Sequence, residues 1–267
     1  MAITRSAPAV GVGPPWTIIE GDSPIVAAAI HNGHEVREEL EARLAVDRND
    51  RRREEDPWTD RLTAAAATRV IGHRSRFEVD LNRPPEDAMC LEPDDCWGLK
   101  LWREHPPESQ QEASRGLHQE FYAEMRAVLD RTQHKHGRFA VLDIHSYNHR
   151  RAGADAPPED PKGSPDVNVG TRTLDHERWG RLLERFMTEL AEHPLGLDVR
   201  ENVKFKGRYF AAWIHRTFPD TGCCLALEFK KTFMDEWTGE LYEDRLRALT
   251  NALAATVPGL EAELTRR

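Results

Sequence analysis

Three stretches of this chain are apolar almost without interruption: PIVAAAI at 24–30, FAVLDI at 139–144 and CCLALEF at 223–229. Runs that are apolar on successive rather than alternate residues suit strands buried on both faces, as in a parallel sheet covered by helices on either side. Each run also delivers a chemically active side chain. His31 follows the first, His145 follows the second, and Glu228 interrupts the third near its end. In open α/β sheets ligands bind just beyond the C-terminal ends of the strands, so this order brings two imidazoles and a carboxylate toward one rim.

The segments between the runs carry helical periodicity. Val36, Leu40, Leu44 and Ala45 predict a helix over 35–46, and Phe121, Met125, Val128 and Leu129 predict a long one over 109–136 that closes at Gly137. Two more are expected at 175–192 and 240–255. Alternation at Val79 and Leu81 predicts a short strand ended by Pro84 and Pro85, and 197–205 reads as extended. The charged stretch 47–60 reads as a solvated loop or helix end. A proline- and acid-rich loop is expected up to Trp97, and 152–166, crowded with Pro, Gly and Asp, reads as an active-site loop rather than a domain boundary. Residues 1–15 form a flexible lead-in and 16–267 a single domain. The fold class is therefore α/β in three layers, a mixed, mostly parallel sheet flanked by helices.

A net charge of −9 and a pI near 5.8 argue against a nucleic-acid partner, whose phosphates demand a basic surface. No apolar run approaches the roughly 18 residues that span a bilayer, and MAITRSAPAV lacks the apolar core of a secretory signal, so no membrane partner and a cytoplasmic location are expected. Cys90, Cys96, Cys223 and Cys224 show no paired metal-binding spacing. All four are expected as reduced thiols, the last two packed as small residues in a strand.

Two neutral imidazoles and a carboxylate with a position left open for water are the usual catalytic zinc set. His31 and His145 supply the imidazoles, each with the alternative of an ordinary loop or capping residue. Two carboxylates compete for the third place. Glu35 would reach back from a first helical turn, where the helix dipole stabilises it without any metal, and Asp56 precedes Pro57, as a helix cap would. Asp143 shares a strand face with His145 and suits either a hydrogen-bond acceptor for a ligand histidine or a partner for an arginine. Glu228, a carboxylate in an apolar run, reads as a proton acceptor for water or as an ion pair with Lys230 or Lys231. Arg76, Asn82 and Arg83 bring donors for a carboxylate or an oxyanion onto one short segment. Arg74, His149, Arg150 and Arg151 add positive charge, the last three on what reads as a solvated loop.

In chain order, HNG at 31–33, EEDPWTD at 54–60, SRFEVDLNRP at 75–84, LDIHS at 142–146, DVNVGT at 166–171, FKGRYF at 205–210 and LALEFKKTFMDE at 225–236 resemble the N-formylglutamate amidohydrolase family. That family is related to the zinc carboxypeptidase and aspartoacylase fold. DLNRP and DIHS together are the specific part; HNG alone is weak. The resemblance implies a zinc-carboxypeptidase-like (phosphorylase/hydrolase-like) sheet, one zinc ion, and hydrolysis of an amide bond next to a carboxylate. Carried over, His31 and His145 are metal ligands, Asp56 ranks ahead of Glu35 as the third, and Glu228 is the general base. Arg76 would polarise the scissile carbonyl, while Asn82 and Arg83 hold the substrate carboxylate. The related peptidases carry a glutamate three residues after the first histidine, where this chain has His34. It also has HNG, FKGR and EFKK where HSG, FKGG and ELNR are frequent. The expected activity is removal of an N-acyl group, formyl included, from an acidic amino acid or related carboxylate. Two alternatives stand beside it: a carboxypeptidase acting on a peptide tail, with 152–166 widening the groove, and a non-catalytic, metal-stabilised binder of a small carboxylate.

Overall fold

The computed structural model describes residues 13–266, so 1–12 of the expected lead-in lie outside the described residues. The strands are β1 (Trp16–Ile19), β2 (Ile25–Ala29), β3 (Thr68–Gly72), β4 (Phe139–Tyr147), β5 (Val167–Gly170), β6 (Val199–Glu201) and β7 (Gly222–Lys230). They form one sheet in the order β1-β3-β2-β4-β7-β5-β6. Its centre, β3, β2, β4 and β7, is parallel. β1 lies antiparallel to β3 at one edge, and β5, with β6 parallel beside it, runs antiparallel to β7.

The helices are α1 (Glu38–Glu41), α2 (Arg48–Glu54), α3 (Thr59–Leu62), α4 (Glu108–His136), α5 (His176–Glu192), α6 (Tyr209–Thr217), α7 (Glu243–Ala255) and α8 (Val257–Thr265). Successive residues of the central strands feed two cores. Ala140, Leu142 and Ile144 of β4 and Leu225 and Leu227 of β7 pack with Phe186 of α5 and Leu253 of α7. Phe139 and Val141 of β4 and Cys224 of β7 pack on the other face with Phe121 and Met125 of α4 and Phe210 and Ile214 of α6. Full burial of each such Leu, Ile or Phe contributes about 1.5–3 kcal/mol, so the same apolar runs hold both helical layers. Among the described residues no helix is long and apolar enough to cross a membrane.

Several local expectations change. The helix expected over 35–46 shrinks to α1, because Arg37 turns inward, its Nε 3.0 Å from Glu78 Oε1 and its guanidinium donating to Ser114 Oγ at 2.7 Å. The alternation at Val79 and Leu81 is no strand. Both side chains are buried in the α4 core, but the backbone there is a series of turns in which Asp80 donates its N–H to the Ala88 carbonyl. The sheet neighbour of β2 is instead β3. The charged stretch 47–60 folds into α2 and α3 and buries Arg51, Glu55 and Asp56. Cys90 and Cys96 form a disulfide rather than two thiols, since the turn at Pro93–Asp95 brings their Cα atoms to 5.7 Å, within bonding reach. Cys223 and Cys224 are free and buried in β7.

Candidate metal centre

Along β4 the residues facing α4 and α6 begin as Phe139 and Val141 and end as Asp143 and His145. The same face of β7 runs from Cys224 through Ala226 to Glu228, and the parallel register sets His145 directly beside Glu228. The apolar wall thus gives way to a polar rim at the C-terminal ends of two neighbouring strands. On the other side of β4, β2 ends at Ala29 and the chain turns at His31, whose ring centroid lies 4.8 Å from that of His145. Gly33 lets that turn pass against β3, because a Cβ there would lie 2.1 Å from the His73 backbone carbon.

Asp56 completes the group. Its backbone is held on both sides: its N–H donates to the His31 carbonyl at 3.0 Å, and its own carbonyl accepts from Thr59 Oγ1 at 2.6 Å. Beneath it, fully buried Lys231 donates from Nζ to the carbonyls of Arg53 and Glu55 and to Asn148 Oδ1, at 2.7, 2.8 and 3.0 Å. One ligand atom each from His31, Asp56 and His145 lies within 4.8 Å of the other two, and all three residues are buried.

Both rings present Nδ1 to Asp56 Oδ2, His145 at 3.0 Å and His31 at 3.6 Å. Their Nε2 atoms face other carboxylates. His31 Nε2 lies 2.7 Å from Asp80 Oδ1, and His145 Nε2 lies 2.9 Å from Asp143 Oδ1 as a charge contact without hydrogen-bond alignment. The Asp80 carboxylate behind His31 fixes that ring's tautomer and makes its Nδ1 more basic. His31 Nδ1 is buried with no hydrogen-bond partner among the described residues, a costly vacancy for a polar atom. Two imidazole nitrogens and a carboxylate oxygen converging on such an atom fit a divalent cation of the zinc type.

The electrostatics agree with this geometry. Burial alone would raise the Asp56 carboxyl, but the hydrogen bond from His145 and the His31 ring beside it hold it well below the usual carboxylate range. For Asp80, burial is likewise overcome by Arg76 and His31. Burial pushes Glu228 up to about 8, His145 only partly opposing it. Among the described residues Glu228 has no hydrogen bond or ion pair. The lysines that might have neutralised it are engaged elsewhere, Lys230 with Asp166 at 3.3 Å and Lys231 under Asp56.

A cleft opens over these groups, lined also by Arg76, Asn82, Trp97, Arg151 and Arg208. Arg76 lies over the Trp97 ring, 4.1 Å from its centroid, and donates to Asp80 Oδ2 at 3.0 Å. Asn82 is buried, its Oδ1 accepting the Phe210 N–H at 3.0 Å and its Nδ2 3.3 Å from His145 Nε2. Arg83 is not brought to the cleft; it donates to Asp80 Oδ2 and to the Asp95 carbonyl. Glu35 lies outside the cluster, exposed at the surface with Arg74 Nη1 3.8 Å away. His149 and Arg150 donate their N–H groups to Glu236, and Arg151 pairs with Glu54 at 3.0 Å. Sequence reasoning missed Asp80, Trp97, Lys231 and Arg208. Of these, Asp80 carried the clearest signal, a carboxylate alternating with buried Val79 and Leu81.

Residues 23–234 match the family model described as N-formylglutamate amidohydrolase. Among solved structures, the chain is similar to N-formylglutamate amidohydrolase from Ralstonia eutropha, with TM-score 0.76 and 19% identity over 93% of this chain and 98% of that one. It is also similar to a gene product of Agrobacterium tumefaciens, with TM-score 0.65 and 16% identity over 93% and 97%. Both likenesses are of fold. A metallo-carboxypeptidase from Burkholderia cenocepacia gives TM-score 0.38 and 16% identity over 88% of this chain and 56% of that one. No curated protein matches the sequence.

Proposed function

Because the chain belongs to the N-formylglutamate amidohydrolase family, we propose that it is a zinc-dependent amidohydrolase that removes an acyl group, formyl foremost, from the nitrogen of an acidic amino acid or related carboxylate. The observation that carries this reading is the partnerless Glu228 in register beside His145, at the rim of the His31, Asp56 and His145 cluster. A binding protein has no use for a raised, unneutralised carboxylate at that place; a hydrolase needs one.

His31, Asp56 and His145 would hold the ion. When bound, zinc supplies Lewis acidity, polarising an amide carbonyl and acidifying water. Glu228 takes a proton from the attacking water and returns it to the departing nitrogen. Burial has lifted its carboxyl to about 8, and the charge of a bound cation acts in the opposite sense, bringing it toward the working range of a general base near neutrality. Arg76, held by Asp80 and Trp97, offers its guanidinium to the carbonyl oxygen as negative charge develops there. Asp80 holds the His31 ring with Nδ1 turned inward.

Metal analysis of protein purified without a histidine tag, joined to hydrolysis assays on N-acyl amino acids and short peptides, tests the reading. One zinc per chain and turnover of N-formylglutamate are expected. Glu228→Gln should keep the zinc while kcat falls by about 10²–10⁴-fold. Normal turnover by zinc-loaded Glu228→Gln refutes the assignment, and a preference for peptides moves the protein to the carboxypeptidases.

A further inference from the structure

Four arginines line the cleft, and three of them are already matched. Arg76 is paired with Asp80 and Arg151 with Glu54, while Arg53 stacks on Trp237, 3.7 Å from its centroid. Arg208 has no hydrogen bond, ion pair or aromatic partner among the described residues. Burial lowers its pKa and Arg76 and Arg83 add to the effect, while Asp80 and Glu228 oppose it without pairing.

Its exposure at the rim is not that of a loose surface arginine, because the chain is clamped on both sides of it. Asn168, the register partner of Glu228 on β5, donates to the Phe205 carbonyl at 2.8 Å and accepts the N–H groups of Lys204 and Phe205 at 2.8 and 3.3 Å. Gly207, at φ +81°, packs so closely on β5 that a Cβ on Gly170 would lie 2.4 Å from its nitrogen. Two residues beyond Arg208, the Phe210 N–H is held by Asn82. The cleft therefore receives, from a fixed stretch of backbone, a guanidinium that no carboxylate of the described residues pairs with directly, Asp80 and Glu228 acting on it only from a distance. Meanwhile Asn82 and Arg83, the residues that the family resemblance assigns to the substrate carboxylate, are occupied with Phe210, His145, Asp80 and the Asp95 carbonyl.

We propose that Arg208 binds the carboxylate on the leaving amino acid and so sets a preference for anionic substrates, an assignment that rests on the amidohydrolase reading above. A guanidinium recognises a carboxylate through paired, charge-assisted hydrogen bonds, which a lysine reproduces only in part.

Two measurements on wild type, Arg208→Met and Arg208→Lys test it. The first is calorimetric binding of glutarate, which involves no turnover. Wild type should bind it, Arg208→Met about 10- to 100-fold more weakly, and Arg208→Lys in between. The second compares kcat/KM for N-formylglutamate with that for its diamide. The preference for the acid should fall by about the same factor in Arg208→Met, through KM rather than kcat. Unchanged glutarate affinity, or an unchanged preference for the acid, overturns the proposal. If wild type hydrolyses neither compound yet glutarate binding falls in Arg208→Met, the amidohydrolase reading fails and the anion site stands. Hydrolysis with the same preference in all three proteins does the reverse.

Discussion

His215 on α6 offers a stability test that is independent of catalysis. Its Nε2 accepts the backbone N–H of Cys224 in β7 at 3.0 Å, so the neutral ring carries its proton on Nδ1, 2.9 Å from Thr173 Oγ1. Burial lowers its pKa from 6.5 to about 4. A base with a depressed folded pKa binds fewer protons folded than unfolded. Its contribution is therefore complete above about pH 6.5 and is lost as the pH falls through that value toward 4. At ~1.4 kcal/mol per tenfold change in proton affinity, the gap amounts to about 3 kcal/mol when both states are protonated and about 2 kcal/mol at pH 5. His215→Gln keeps an acceptor for Cys224 but cannot titrate. Urea unfolding of both proteins at about pH 7.5 and about pH 5 gives a double difference in which all other titrating groups cancel. The variant should gain about 2 kcal/mol relative to wild type on acidification. A double difference below ~0.5 kcal/mol refutes the buried, neutral histidine as the link between α6 and the sheet.

Two other predictions concern the support of the metal site. Asp80→Asn removes the charge behind His31 and should weaken metal affinity by about 10–100-fold in a chelator competition; equal affinity would show that Asp80 does not orient the ring. Lys231→Met leaves the Glu55 carbonyl and Asn148 Oδ1 without their donor, each orphan costing about 1–3 kcal/mol, and leaves the Arg53 carbonyl with Asn148 Nδ2 alone. Both thermal stability and metal affinity should drop, and Lys231→Arg should recover more of each; a Met variant that matches wild type refutes the role.

The central strands were legible because a strand buried on both faces leaves a continuous apolar run; β2 and β7 fall within one residue of the expected runs, and β4 starts with its run and continues three residues past it to Tyr147. The same logic made His31, His145 and Glu228 visible as polar residues where such runs stop. Asp56 was harder. It sits in a stretch so dense in charge that solvation is the natural reading, yet Arg51, Glu55 and Asp56 are all buried. Their partners, Ser75, Lys231 and the two histidines, come from distant parts of the chain, so composition carries no trace of them. The alternation at Val79 and Leu81 was read correctly as burial and wrongly as a strand, since two apolar residues flanking a polar one arise equally in a turn that aims Asp80 at His31. β1 is too short to show a pattern, β6 takes up only part of the stretch 197–205 read as extended, and α6 and α8 follow other elements so closely that no boundary stands out.

The sheet order also bears on how the protein is made. β7 is the last strand in the chain, yet it lies between β4 and β5. During synthesis β4 therefore emerges with one long edge open, and β5 and β6 have only each other until β7 arrives. An unpaired, largely apolar edge is a template for association with other chains. The same event that closes that edge brings Glu228 beside His145, so a ribosome-bound chain is most exposed to aggregation while it still lacks the proposed base, and chain closure and completion of the candidate site arrive together.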